Sequence, residues 1–245
     1  MHAIVQRTYS QRLKEKFYRS GDHPYRLFQR EIELYLKPDQ VLFDAGCGRS
    51  AEVLNQCRGK AGKLIGVDLV DFDPRANSLD IELFKGDLAN LKLQDNSVDI
   101  AISRSVLEHL RDPLPAYLEI ARVLKSDGHF IFLTPNLRDY TAIFSKIIPN
   151  NLHPWIVLRT EGRNEEDTFP AYYKSNTFKA VRQLAQKSGF EIVSFKYLGQ
   201  YPSYFMFNPV LFLMATGYEK LTSKFDSLRF LRGWLLVVLR KSKGR

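Results

Sequence analysis

Cysteine is scarce in this chain. Two residues, Cys47 and Cys57, among 245 exclude a disulfide framework and point to a reducing compartment. No apolar run approaches the roughly 20 residues that a membrane-spanning helix requires. The opening stretch MHAIVQRTYSQRLKEKF lacks an apolar core of the signal-peptide kind, so a cytoplasmic location is the expectation. Internal repeats and linkers rich in Gly, Ser or Pro are also missing. With 44% hydrophobic and 26% charged residues, 14 Gly and 11 Pro, the composition excludes a disordered, collagen-like or low-complexity chain. What is present suffices for a large core, since a chain of this length buries about 70–75% of its unfolded surface.

Charge is the one unbalanced quantity. Thirty-six Lys+Arg against 27 Asp+Glu leave a formal charge of +9, which attracts nucleic acid, anionic lipid or an acidic small substrate. The basic residues are scattered, however, with mild concentrations over 7–30 and 220–245. No block of like charge or nucleic-acid-reading motif accompanies them, so a solvated surface is the simpler reading and a nucleic-acid partner is not expected.

Short apolar or β-branched runs alternate with longer stretches of helical spacing. The runs are 41–45, 63–68, 81–84, 98–103, 129–134, 191–197 and 234–240, and the helical stretches are 27–36, 51–57, 114–124 and 177–188. Asp112-Pro113 opens one helix, the Asp as cap and the Pro at the first position, and Gly128 is expected to break the chain before the next strand. This alternation predicts an α/β fold with a doubly wound parallel sheet and helices on both faces. Residues 1–38 are expected to form a helical arm, 39–134 a cofactor-binding core, 135–175 a lid-like insertion, and 176–245 the remainder of the sheet, all within one domain.

The most informative stretch is Val41-Leu42-Phe43-Asp44-Ala45-Gly46-Cys47-Gly48-Arg49-Ser50-Ala51. A buried strand runs into a Gly-x-Gly turn and then a helix, an arrangement that lets a ligand approach bare backbone. Gly46-x-Gly48-x-x-Ala51 also satisfies the dinucleotide fingerprint, which keeps an NAD-dependent oxidoreductase open. Asp44 favours a different ligand. Its carboxylate would repel a pyrophosphate but attract the ammonium of an amino acid. Asp68 ends the next strand about 20 residues beyond the glycines, where a carboxylate can accept from both ribose hydroxyls. Asp87, after the third strand, can accept from the exocyclic amine of adenine, with Leu88 or Leu69 packing on the ring.

The segments FDAGCGRSAEVL, GVDLV, FKGDLANLKLQDNSVDIAISRSVLEHLRDP and ARVLKSDGHFIFLTPN resemble, in order and spacing, the class I S-adenosylmethionine-dependent methyltransferases of the small-molecule branch. SNTFKAVRQLAQKSGFEIVSFKYLG resembles a later helix and strand of the same family. The resemblance implies a Rossmann-like, seven-stranded sheet, mostly parallel with the last strand antiparallel. It implies S-adenosyl-L-methionine as methyl donor and S-adenosylhomocysteine as product. By carry-over, Asp44, Gly46 and Gly48 line the methionine end, Asp68 binds ribose, Asp87 and Leu88 bind adenine, and Ser103 and Arg104 border the sulfonium.

Such a donor is already activated, so the protein has mainly to align it with an acceptor and exclude water. A small-molecule acceptor methylated on oxygen is expected. His109, in Val106-Leu107-Glu108-His109, is the first candidate base and His153 the second. Some relatives carry an acid three residues before the Glu as part of a metal site. Ser105 occupies that place here, so no metal is expected. Tyr172 and Tyr173 are candidates to close over the donor. The apolar stretch YPSYFMFNPVLFLMATG, residues 201–217, reads first as a buried helix or loop. Its alternative reading is a greasy wall or a membrane-surface contact helped by Lys220, Lys224, Arg229 and Arg232, which would suit a lipid-like quinone acceptor. RNA methylation is suggested only by the net charge.

Overall fold

The computed structural model describes residues 9–73, 80–140 and 169–243. Its centre is a sheet of seven strands: β1 (Val41–Ala45), β2 (Lys63–Asp68), β3 (Ile81–Lys85), β4 (Val98–Arg104), β5 (Leu124–Pro135), β6 (Phe190–Leu198) and β7 (Trp234–Lys241). They lie in the order β3-β2-β1-β4-β5-β7-β6. The pairs β1–β2, β1–β4, β2–β3 and β4–β5 are parallel, and the last strand is antiparallel. The chain winds outward from β1 to β3, then returns to the other side of β1 as β4. That reversal opens a crevice at the carboxyl ends of β1 and β4, where ligands of open α/β sheets bind.

Central parallel strands are covered on both faces and therefore read as continuous apolar runs. Leu42, Phe43, Ile100, Ile102, Phe130 and Phe132 are all buried. Helix α4 (Leu114–Val123) lays Ala116, Tyr117 and Ile120 inward, and the Tyr117 ring meets Phe130 edge-on at 5.6 Å. Asp112 Oδ1 accepts from the Leu114 N–H at 3.1 Å, as the Asp-Pro opening predicts. Helix α5 (Phe178–Ser188) is capped by Thr177, whose Oγ1 accepts from the Ala180 N–H, and ends at Gly189 in the left-handed region.

The predicted strand bounds hold to the residue for β1 and β2. Gly128, in contrast, does not end an element. Strand β5 begins at Leu124 and runs through it with a bulge: the register passes from Val98↔Leu124 to Ile100↔His129, and Asp127 takes φ +63°. A Cβ at Gly128 would sit 2.8 Å from the Lys125 carbonyl and 3.0 Å from that of Asp99. Close backbone approach, not strand termination, is what requires the glycine.

The chain forms two compact units. One comprises Phe28–Pro135, Ala171–Lys196 and Leu235–Arg245 and contains most of the sheet. The other comprises Met1–Leu27, Asn136–Pro170 and Tyr197–Trp234. In it α1 (Tyr9–Phe17) packs on α6 (Pro209–Lys224). Helix α6 starts where the sequence permits: Asn208 Oδ1 accepts from the N–H groups of Val210 and Leu211, and Pro209 takes the first position. Of the segment 1–38, residues 9–38 are described and hold α1, a 3₁₀ turn at Ser20–Asp22 and α2 (Pro24–Tyr35).

This second unit buries two carboxyl groups, Asp139 and Glu219. Burial first, then the charge of Asp139, pushes Glu219 up to about 8. The native state therefore retains a proton that the unfolded chain releases near pH 4.5. Stability contributed here is highest below that value and declines as pH climbs towards 8. Glu219→Gln is expected to flatten that decline, raising the urea midpoint at pH 9 but not at pH 4.

Candidate functional site

Three strand ends build the site. The turn after β1 is held against β2: the Val67 carbonyl accepts from Gly46 N–H at 2.8 Å and from Cys47 N–H at 3.3 Å. Gly46 has φ +90°, and a Cβ there would overlap the Val106 side chain. Both facts demand glycine. Gly46→Ala is expected to lower stability by roughly 2–4 kcal/mol, from combined backbone strain and overpacking, as read by urea denaturation. The helix following the turn differs from the expected 51–57. Ala51 is left-handed at φ 46°, and α3 covers only Glu52–Gln56. A helix this short supplies little dipole for a pyrophosphate.

Asp44 is buried within β1, opposite Gly66 of β2 and Ile102 of β4. Burial pushes its carboxyl up to about 7; Arg104 draws it down and Asp68 adds to the rise. Arg104, at the end of β4, is itself tied to Glu52 at 2.6 Å. Ser103 is fully buried, and its hydroxyl donates to the Ala45 carbonyl at 2.8 Å, pinning β4 to β1. Asp68 closes the other side. Its Oδ2 accepts from Gly48 N–H at 2.7 Å and its Oδ1 from Val70 N–H at 3.2 Å. Each carboxylate oxygen keeps a further acceptor site, so the pair of oxygens can still receive two hydroxyls. Asp87 lies exposed after β3, its Oδ1 accepting from Ala89 N–H at 2.9 Å. Of the two leucines beside these acids, Leu88 is buried and Leu69 exposed.

His109 closes a single 3₁₀ turn, Leu107–His109. Its Nε2 lies 4.0 Å from Glu108 Oε1. Glu108 is buried and anchored from behind: Thr134 Oγ1 donates to its Oε2 at 2.9 Å, and Asn176 Nδ2 donates to Thr134 Oγ1 at 2.8 Å. The Glu108 carbonyl also accepts the backbone N–H groups of Tyr172 and Tyr173, which brings both tyrosines to this turn. Ser105, between β4 and the turn, has φ +57° and a buried hydroxyl without a hydrogen-bond partner among the described residues.

The sequence-derived candidates Asp44, Gly46, Gly48, Asp68, Ser103 and Arg104 thus share the carboxyl end of β1, β2 and β4. Asp87 and Leu88 follow β3, at the corresponding edge. His153 lies outside the described residues. Burial pushes the Cys47 thiol up, so it is no nucleophile. Among the described residues no group of three or more His, Cys, Asp or Glu side chains could hold a metal ion. The Glu108–Thr134–Asn176 chain was not legible in the sequence, because its members stand 26 and 42 residues apart. Only the position of Glu108 beside a candidate histidine pointed towards it.

Known proteins resemble this chain over part of its length. A methyltransferase-domain family matches residues 43–132. A Mycolicibacterium smegmatis protein named "probable S-adenosylmethionine-dependent methyltransferase" is 34% identical over 100 residues, covering 39% of this chain and 38% of that protein. A similarly named Mycobacterium tuberculosis protein is 33% identical over 102 residues, covering 39% of this chain and 35% of its own length. The matched stretch therefore spans little more than a third of these relatives. The structure of an S-adenosylmethionine-dependent methyltransferase from Mesorhizobium loti superposes with a TM-score of 0.56 at 18% identity, covering 89% of this chain and 97% of that one. At that identity the likeness speaks for the fold.

Proposed function

We propose that this chain, whose residues 43–132 match a methyltransferase-domain family, is a class I S-adenosylmethionine-dependent methyltransferase that transfers a methyl group from S-adenosyl-L-methionine to an oxygen of a small-molecule acceptor. One observation carries the reading. Asp44 and Asp68 lie at the carboxyl ends of neighbouring strands with the Gly46–Gly48 turn between them, so that a buried acid and a ribose-type acid flank one stretch of accessible backbone. Asp44 meets the donor's ammonium, and the free acceptor sites of Asp68 take the two ribose hydroxyls. Asp87 accepts from the adenine amine, and Leu88 packs against the ring. Ser103 and Arg104 border the reacting end.

The donor supplies an activated methyl on a sulfonium. The protein's work is to bind, orient and exclude water. His109 accepts the acceptor's proton. Glu108, held by Thr134 and Asn176, supports the charge that the imidazole then carries. Tyr172 and Tyr173, tethered to the same turn, cover the reacting end.

Release of S-adenosylhomocysteine across a panel of phenols, carboxylates and quinols tests this reading, with calorimetry of donor binding beside it. Donor binding and turnover on an oxygen acceptor are expected. Binding of NADH without binding of S-adenosylmethionine would overturn it.

A further inference from the structure

Helix α6 turns its greasy residues the wrong way for a core helix. The stripe it buries is Phe212, Thr216, Glu219 and Thr222. At 100° per residue, the opposite face carries Val210, Met214 and Leu221, which are 64%, 69% and 50% exposed. Leu211 and Leu213 flank them, and exposed Phe207 and Phe225 stand at the two ends of the helix. Expected from sequence as a buried segment, 201–217 instead leads through a 3₁₀ turn (Ser203–Phe205) into the first half of capped α6, whose apolar side is uncovered among the described residues.

Charge says what covers it. The sole acid of α6, Glu219, is on the buried stripe, whereas Lys220 and Lys224 are exposed. Lys220 reaches back to the Phe17 carbonyl at 2.7 Å, joining the rim to α1, whose last turn holds Lys14 and Lys16. Glu15 lies among them. Beyond the helix, Asp226 is neutralised by Arg229 at 2.9 Å and Arg232 at 3.7 Å. An apolar stripe inside a basic rim, on a chain of net charge +9, repels a second copy of itself and complements a negative sheet of headgroups. The 16-residue helix is too short to cross a bilayer and suited to lie in its surface.

We propose that α6 is an interfacial helix: its Val210–Met214–Leu221 face enters an anionic lipid bilayer while Lys220 and Lys224 meet the headgroups. The inference needs neither donor nor acceptor, so it stands or falls apart from methyl transfer.

Vesicle flotation of the full chain tests it, using phosphatidylcholine alone and phosphatidylcholine doped with phosphatidylglycerol. The protein is expected to float with the doped vesicles and to be released by salt. Met214→Glu is expected to cut partitioning at least about tenfold, and Lys224→Gln roughly fivefold, the effect of losing one lysine at such a surface. Leu118→Glu, a change at an exposed apolar residue of α4, should leave binding intact. Failure to float with either vesicle overturns the proposal. So does flotation that Met214→Glu leaves unchanged. Two further results would assign the face elsewhere and equally overturn it. One is self-association abolished by Met214→Glu without vesicle binding. The other is a lower melting temperature for Met214→Glu with no vesicle binding by the parent chain, which gives the face to another segment of this protein.

Discussion

Asp68→Ala is expected to weaken binding of S-adenosylhomocysteine by about 100-fold or more while the chain remains folded. The carboxylate contributes two charge-assisted hydrogen bonds to the ribose hydroxyls, each worth roughly 1.5–3 kcal/mol. It also receives the Gly48 and Val70 N–H groups. Those backbone donors lie near the surface, where water can replace the lost acceptor, so the cost to the fold is small. Asp68→Asn retains one acceptor oxygen and should fall between the parent and the alanine variant. Calorimetry gives the affinities and circular dichroism the fold. An affinity unchanged in Asp68→Ala would remove the ribose assignment, and with it the reading of the β2 end as the nucleoside side of the site.

The second large effect concerns Asp44 and has two opposite signs. Its carboxyl titrates at about 7 in the folded chain against an ordinary 3.8. The native state thus holds a proton between about pH 4 and pH 7 that the unfolded chain has released. The ligand-free protein accordingly loses stability as pH rises through that window, and above it carries the full cost of a buried carboxylate. Asp44→Asn is expected to make the slope between about pH 4 and pH 7 shallower, leaving the share due to Glu219, and to raise stability at pH 8 by roughly 1–3 kcal/mol. Donor affinity should move the other way and fall at least about tenfold, because the amide offers no charge to an ammonium.

The same carboxyl should link binding to protons. An ammonium placed beside Asp44 favours its ionised form, so donor binding near pH 7 should release a proton from the parent protein and fewer from Asp44→Asn. Heats measured in buffers of different ionisation enthalpy count those protons. Equal release from both proteins, together with equal affinity, would show that Asp44 does not face the ligand.

These two acids illustrate how far a one-dimensional reading reaches. Asp44 and Asp68 were identifiable because each closes an apolar strand run at a fixed distance from the Gly46–Gly48 turn. Their placement in one site follows from parallel pairing of adjacent strands. His109 could be picked out as a candidate base, but what stands behind it could not. Glu108, Thr134 and Asn176 come from a 3₁₀ turn, the end of β5 and the segment before α5, and nothing in their spacing joins them. Likewise, Gly128 read as a break because a glycine before an apolar run resembles a strand start. The crowding of Lys125 and Asp99 carbonyls that explains it exists only after β4 and β5 pair.

By itself, the sequence determined the alternation of strand and helix, the bounds of β1 and β2, the glycine turn and the acids that flank it. All of these follow from local periodicity and from the backbone conformations that single residues permit. Tertiary structure alone decided how strongly Asp44 holds its proton, what anchors Glu108, and which side of α6 faces outward. Each of those depends on what lies within a few ångströms across the fold, and chain order does not encode distance between residues that are remote along it.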